Sequence, residues 1–301
     1  MTRRNIAAGL DSSRRQLGRE DVTLASPDLS FRLPPNACDS HCHVFGPADR
    51  FPFSSSRKYD PADSPKETLA RLHEGLGIDR AVIVQASAHG TDNRAMLDAL
   101  AWRTHAYRGV AIIDDSFDDA SLLRMHEAGV RAARFNFVAS LGGYPDPAVF
   151  AAVIARIAPL GWHVVLHLKG ADLLALEDTI RALPVPFVID HMGRVDVALG
   201  LAQPAFALLL SLMSDERAWV KVSGAERMAA HPYYAALPFA QALVAARPDR
   251  VLWGTDFPHP NLSDHVDEHE LIALIPSIAA DEKARQLLLV DNPAHLYGFA
   301  K

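Results

Sequence analysis

Eight short apolar runs, each followed by a segment with helical spacing, predict an α/β protein, a closed (β/α)8 barrel of the TIM type. Three observations carry that expectation: the number of runs, their nearly unbroken apolarity, and the three- and four-residue spacing between them. The runs cover 37–45, 80–86, 107–113, 130–137, 162–168, 186–191, 219–224 and 251–257. Ala81-Val82-Ile83-Val84, Val110-Ala111-Ile112-Ile113 and Phe187-Val188-Ile189 read as strands buried on both faces, as parallel strands are. Segments 65–75, 93–107, 148–160 and 171–183 carry the helical periodicity. An open, doubly wound sheet is the alternative for the same alternation. The longest connection contains 51–59, long and polar enough to arch over a barrel mouth.

Composition narrows the function classes. The chain has 301 residues, 49% of them hydrophobic and 22% charged, the mix of a globular protein rather than a disordered one. Thirty basic against 36 acidic residues leave a net charge of −6, with no broad basic face for nucleic acid. Two cysteines, Cys38 and Cys42, are too few for a disulfide framework and point to a reducing, cytoplasmic setting. No run of 18 apolar residues suggests a membrane span, and no glycine-rich phosphate cradle appears. Residues 1–30 read as an arm that wraps the barrel or a neighbouring subunit of a homo-oligomer, or as simple disorder. Residues 31–301 read as one barrel domain.

Polar residues at the ends of the runs carry the chemistry. The first run reads Asp39-Ser40-His41-Cys42-His43, and strand alternation puts Asp39, His41 and His43 on one face, with Ser40 and Cys42 opposite. His167 ends the fifth run, Asp190 and His191 the sixth, and Asp256 the eighth, with His259 just beyond. The C-terminal ends of barrel strands are where active sites are built. Several independent structural histidines are the plainer reading, but each would need its own buried partner. Arg134 and Asn136 alternate on the fourth run, Arg194 follows the sixth, and Arg227 follows the seventh. A guanidinium forks onto a carboxylate and stays charged, so Arg134, Asn136, Arg194 and Arg227 are candidates for binding an anionic substrate; rim salt bridges are their ordinary alternative. Gln85, Ser87 and His89 could line the mouth, Asp190 orients a neighbour or caps a turn, and His259 supports the loop. Asn292, His295 and Tyr297 read as helix packing.

The set His41-x-His43, His167, His191 and Asp256 resembles the amidohydrolase superfamily over residues 36–300. Asp39-x-His41-x-His43-Val44-Phe45-Gly46, Arg134-Phe135-Asn136-Phe137, Asp190-His191-Met192-Gly193-Arg194 and the stretch from Lys221 to Arg227 are similar to the 2-pyrone-4,6-dicarboxylate lactonase group. The resemblance implies hydrolysis of a small anionic lactone from aromatic or sugar-acid catabolism. Two departures stand out. The fourth run has Arg134 and Asn136 where binuclear members carry a carbamylated lysine, which argues against two metals. Val138 to Asp146 contains none of the basic residues that follow this motif in the dicarboxylate lactonases, so the dicarboxylate itself is in doubt.

In the expected reaction Asp256 takes a proton from water and returns it to the leaving alkoxide. His41, His43 and His191 polarise the carbonyl, either directly or through an ion. His41, His43, His167 and Asp256 could ligate one divalent metal, zinc by donor type; the resemblance also implies members that work without a metal. Two other readings compete. One is a metal-dependent non-oxidative decarboxylase of the same superfamily; the other is a non-catalytic binding barrel, which has no use for a base at Asp256.

Overall fold

All eight apolar runs form parallel strands, hydrogen-bonded in chain order. They are β1 (Cys38–Cys42), β2 (Arg80–Val84), β3 (Tyr107–Ala111), β4 (Val130–Asn136), β5 (His163–His167), β6 (Phe187–Ile189), β7 (Ala218–Lys221) and β8 (Val251–Leu252). The computed structural model describes Asp28 and residues 30–300, so the expected arm over 1–30 lies outside the described residues apart from Asp28 and Ser30. Strand starts agree with the sequence expectation to within one residue, while strand ends fall one to five residues short. At their C-terminal ends several strands, β1, β6 and β8 among them, leave the ladder where polar side chains turn into the barrel mouth.

The sheet closes where β1 meets the segment after β8. Ser40 N–H donates to the Trp253 carbonyl (2.8 Å), Asp256 N–H to the His41 carbonyl (2.7 Å), and His43 N–H to the Phe257 carbonyl (2.8 Å). Gly254 makes this approach feasible, since a Cβ there would lie 2.5 Å from His41 N. Closure removes the open doubly wound sheet from consideration.

Alternate residues of the strands divide into two layers. Val82, Val110, Ala132, Val165, Val188, Trp219 and Leu252 fill the lumen with Tyr297 and Phe299 from the C-terminus. Ala81, Ile83, Ala133, Val164, Phe187 and Val220 face outward, against the helices. Those helices include Lys66–Leu76, Arg94–Trp102, Asp119–Glu127, Pro147–Ile157 and Pro204–Leu212. Asp118 and Asp146 cap two of them by accepting backbone N–H groups, and Pro147 and Pro204 stand in first turns that need no donor. The helix expected over 93–107 stops at Trp102, and the one expected over 171–183 divides into Gly170–Ala175 and Glu177–Arg181.

One expectation about facing fails. Pairing between β1 and β2 runs Asp39↔Ala81 and then Cys42↔Ile83, so β1 carries one extra residue. Such a bulge resets the alternation. Cys38 faces the lumen, whereas Cys42 joins the outer layer with Ile83. Asp39 does not share a face with His41 and His43. Its carboxylate instead pins the barrel seam, accepting from Thr255 N and His41 N (3.0 Å each) and from the Thr255 hydroxyl, with His73 Nε2 at 3.2 Å.

Candidate active site

His41 and His43 enter the lumen just beyond the bulge, with their ring centroids 5.0 Å apart. His191 stands 4.5 Å from His41 and 6.0 Å from His167 by the same measure. Asp256 is the hub. Its Oδ1 lies 3.2 Å from His43 Nε2 and 3.5 Å from His41 Nε2, and its Oδ2 lies 3.9 Å from His191 Nε2. Arg227 Nε donates to Oδ2 as well.

Local backbone strain aims two of these groups. His191, Met192 and Arg194 hold φ values of 53°, 54° and 43°, and Asp256 holds 65°. A non-glycine residue pays roughly 1–2 kcal/mol to sit in the left-handed region, so the surrounding packing must enforce it. This left-handed turn explains why β6 ends at Ile189.

Hydrogen-bond partners fix what each histidine presents to the cleft. His43 Nδ1 meets the Val84 carbonyl at 2.7 Å and Nε2 meets Asp256 Oδ1 at 3.2 Å; a carbonyl only accepts, so Nδ1 carries a hydrogen, and the ring bridges two oxygens. His167 Nδ1 meets Asn136 Oδ1 at 3.1 Å. The Asn136 amide is oriented by donating to the Val138 and Leu141 carbonyls, so its oxygen accepts from His167 Nδ1 and Nε2 of that ring is an acceptor. His191 Nδ1 pairs with the Ser223 hydroxyl at 3.0 Å, which can serve either way. His41 is the exception: Lys221 Nζ lies 3.0 Å from its Nδ1.

Electrostatics follow from burial and these partners. Burial, reinforced by Lys221, pushes His41 down to about 4. Burial also holds His167 and His191 well below the ordinary imidazole range, so all three rings are neutral. Burial would raise Asp256, but Arg227 and the neighbouring imidazoles outweigh it and keep the carboxyl well below the usual range. Asp190 behaves in the same way under Lys221, His41 and Arg134.

The cleft above these groups is narrow, about 20 Å³, and is lined by His43, Tyr59, Ser87, Arg134, His167, His191, Arg227 and Asp256 among others. Arg134 forks onto Asp190 Oδ2 at 3.2 Å through Nε and Nη2. Asn136 stands behind His167 and does not line the cleft. Arg194 lies beside the cleft, with no hydrogen bond or ion pair to any described residue, and burial together with Arg227 lowers its pKa. Gln85 is turned away, its amide donating to the Gly90 and Asp92 carbonyls. His259 sits between Glu226 and Glu268; burial would lower it, but the two carboxylates raise it to about 9.

From sequence, Lys221 and Ser223 stand only as parts of one motif, and Tyr59 only as part of the loop expected to arch over the mouth, with no role for any of the three. A usable signal was present: Lys221 follows the lumen residue Trp219 by two, which points an ammonium into an apolar barrel.

Spacing alone could accommodate a metal ion. One donor atom each from His41, His191 and Asp256 lie within 4.8 Å of one another, and so do sets from Glu226, Asp256 and His259 and from Asp39, Cys42 and His73. His43 and His167, both expected as ligands, fall outside these groups. His167 lies beyond His191, and His43, though beside Asp256, does not complete a set of three donors.

The chain is similar to known proteins over most of its length. The amidohydrolase family model matches residues 38–299. The chain is 47% identical over 279 residues to 2-pyrone-4,6-dicarboxylate hydrolase of Comamonas testosteroni, covering 89% of this chain and 92% of that one. It is 37% identical to 4-sulfomuconolactone hydrolase of Hydrogenophaga intermedia, covering 90% and 91%. A crystal structure from Agrobacterium tumefaciens matches with a TM-score of 0.81 at 29% identity, covering 90% and 98%. The chain belongs to the amidohydrolase family.

Proposed function

We propose that this protein hydrolyses a small lactone bearing an anionic group, a carboxylic-ester hydrolase of aromatic- or sugar-acid catabolism. One observation carries the reading: an ionised Asp256 carboxylate lining the cleft meets the His41, His43 and His191 imidazoles, with guanidinium groups at the cleft edge. The relatives named above, both hydrolases and one acting on a sulfonated lactone, support it.

Asp256 accepts a proton from water as the oxygen adds to the lactone carbonyl. Neutral imidazole N–H groups, above all His41 Nε2–H, stabilise the charge that develops on the carbonyl oxygen. The adduct collapses, the ring C–O bond breaks, and Asp256 returns its proton to the departing alkoxide. His43 Nε2, hydrogen-bonded to Asp256 Oδ1 at 3.2 Å, forms with it a pair that can share a proton. Arg194, unpaired among the described residues, and Arg227 at the cleft edge hold the anionic group and so orient the ring.

A single zinc-type ion on His41, His191 and Asp256 would require a lone pair at His41 Nε2. As hydrogen-bonded, that atom carries a hydrogen and has no hydrogen-bond partner. The residues in this arrangement do not fit the ion, and the chemistry falls to the chain's own groups.

A panel of small lactones with pH-indicator and carbon dioxide detection tests the function. Acid release from an anionic lactone without carbon dioxide is the expected result. Carbon dioxide release would favour decarboxylation, and silence across the panel would favour a binding barrel.

A further inference from the structure

The two histidines of His41-x-His43 are wired oppositely. In a metal-ligating pair on one strand both rings offer a lone pair to the ion. Here His43 Nδ1 donates to the Val84 carbonyl at 2.7 Å and turns Nε2 to Asp256 Oδ1. His41 Nδ1 instead faces Lys221 Nζ at 3.0 Å. An ammonium has three hydrogens and no lone pair, so it can only donate. His41 Nδ1 must accept, and the single hydrogen of the neutral ring moves to Nε2.

Lys221 is held there by the lumen itself. It is the last residue of β7, fully buried, and its Nζ lies 3.2 Å from Asp190 Oδ1. Asp190 is in turn fixed through its other oxygen by Arg134. Asp190 Oδ1 also stands 3.3 Å from His41 Nδ1 but receives no aligned hydrogen bond. Two arrangements of the same ring are therefore within reach. With Lys221 donating, His41 turns an Nε2 hydrogen toward Asp256 Oδ1, 3.5 Å away; with Asp190 accepting, it turns a lone pair there.

We infer that Lys221 is a positioning residue that locks His41 in the Nε2–H form, committing it to oxyanion stabilisation and withholding it from metal ligation. Lys221 touches neither substrate nor reacting atoms. It acts through His41 alone, and only the expected change in turnover rests on the lactone-hydrolase reading.

The test has a direct arm and a variant arm. In the wild-type protein, nitrogen-15 spectra of the histidine rings, with His41 assigned by its loss in His41→Gln, should show a bare Nδ1 and a protonated Nε2. In Lys221→Met, His41 is free to donate from Nδ1 to Asp190. Zinc titration should then show binding about tenfold or more tighter than in wild type. On the best lactone, kcat should fall about tenfold with KM little changed. Lys221→Gln, which keeps an N–H donor, should recover most of kcat and remain as weak a zinc binder as wild type. A protonated His41 Nδ1 in wild type overturns the inference, as does Lys221→Met binding zinc no more tightly. The spectra and the titration need no substrate, so they decide even if lactone hydrolysis fails, and the wild-type spectrum decides even if Lys221→Met does not fold.

Discussion

Strand β5 carries two buried histidines four residues apart, one at each end of the lumen. His163, at the lower end, packs edge-on against Tyr297 with centroids 5.0 Å apart, among Trp219, Leu252 and Cys38. Burial pushes its pKa down to about 3, and its Nε2 has no partner. His167, at the upper end, is equally buried and equally neutral, yet its free nitrogen faces His191, Arg134 and Asp256 across the cleft. Burial and a depressed pKa thus describe both rings, and only convergence with other polar groups makes one of them part of a site. Size misleads in the same way. A hollow of about 660 Å³ beside Arg80, Asp249 and His295 is far larger than the upper cleft, without its histidine–aspartate set.

Four substitutions test this contrast, beginning with the largest effect. Asp256→Asn keeps the shape of the hub and removes the base, so kcat on the best lactone should fall roughly 10²- to 10⁴-fold. Retention of more than about half the activity would remove Asp256 from the mechanism. Gly224→Ala comes next. Gly224 sits at φ 76°, and a Cβ there would stand 2.7 Å from His191 Nδ1, so the ring must shift. A displacement of this kind costs up to about 10²-fold in rate. Unchanged kcat would mean that the position of His191 does not matter.

Arg194→Met should weaken kcat/KM for an anionic lactone roughly 10- to 100-fold and leave its methyl ester nearly unaffected, because one charge-assisted hydrogen bond is removed. Equal losses on both would make Arg194 structural. The smallest effect on turnover belongs to the lower end. His163→Phe should leave kcat within about twofold while changing the pH dependence of stability. The folded protein keeps His163 neutral to about 3, whereas the unfolded chain binds a proton near 6.5. His163 therefore favours unfolding increasingly as pH falls from about 6.5 toward 3, a slope the variant should lack. Urea denaturation at neutral and acid pH measures it, and an unchanged slope would mean that His163 is not held neutral.

The sequence made the barrel legible because each strand is a short apolar run bounded by helical spacing, as with Ala81 to Val84. His41, His191 and Asp256 were legible because polar residues interrupt those runs at one end only. Three features were not. The bulge in β1, which turns Asp39 outward to His73 and Thr255, leaves no trace in a residue pattern that alternates either way. The left-handed turn through His191 and Arg194 uses residue types that ordinarily avoid it. The role of Lys221 depends on which strand lies across the lumen, and no local spacing encodes that.

Hydrolysis in water enriched in oxygen-18 tests the upper cleft most directly. If Asp256 drives water onto the carbonyl, one labelled oxygen appears in the new carboxylate of the ring-opened product, and Asp256→Asn abolishes its incorporation. Label in the hydroxyl group instead, or label in the carboxylate at an undiminished rate in Asp256→Asn, would contradict the mechanism.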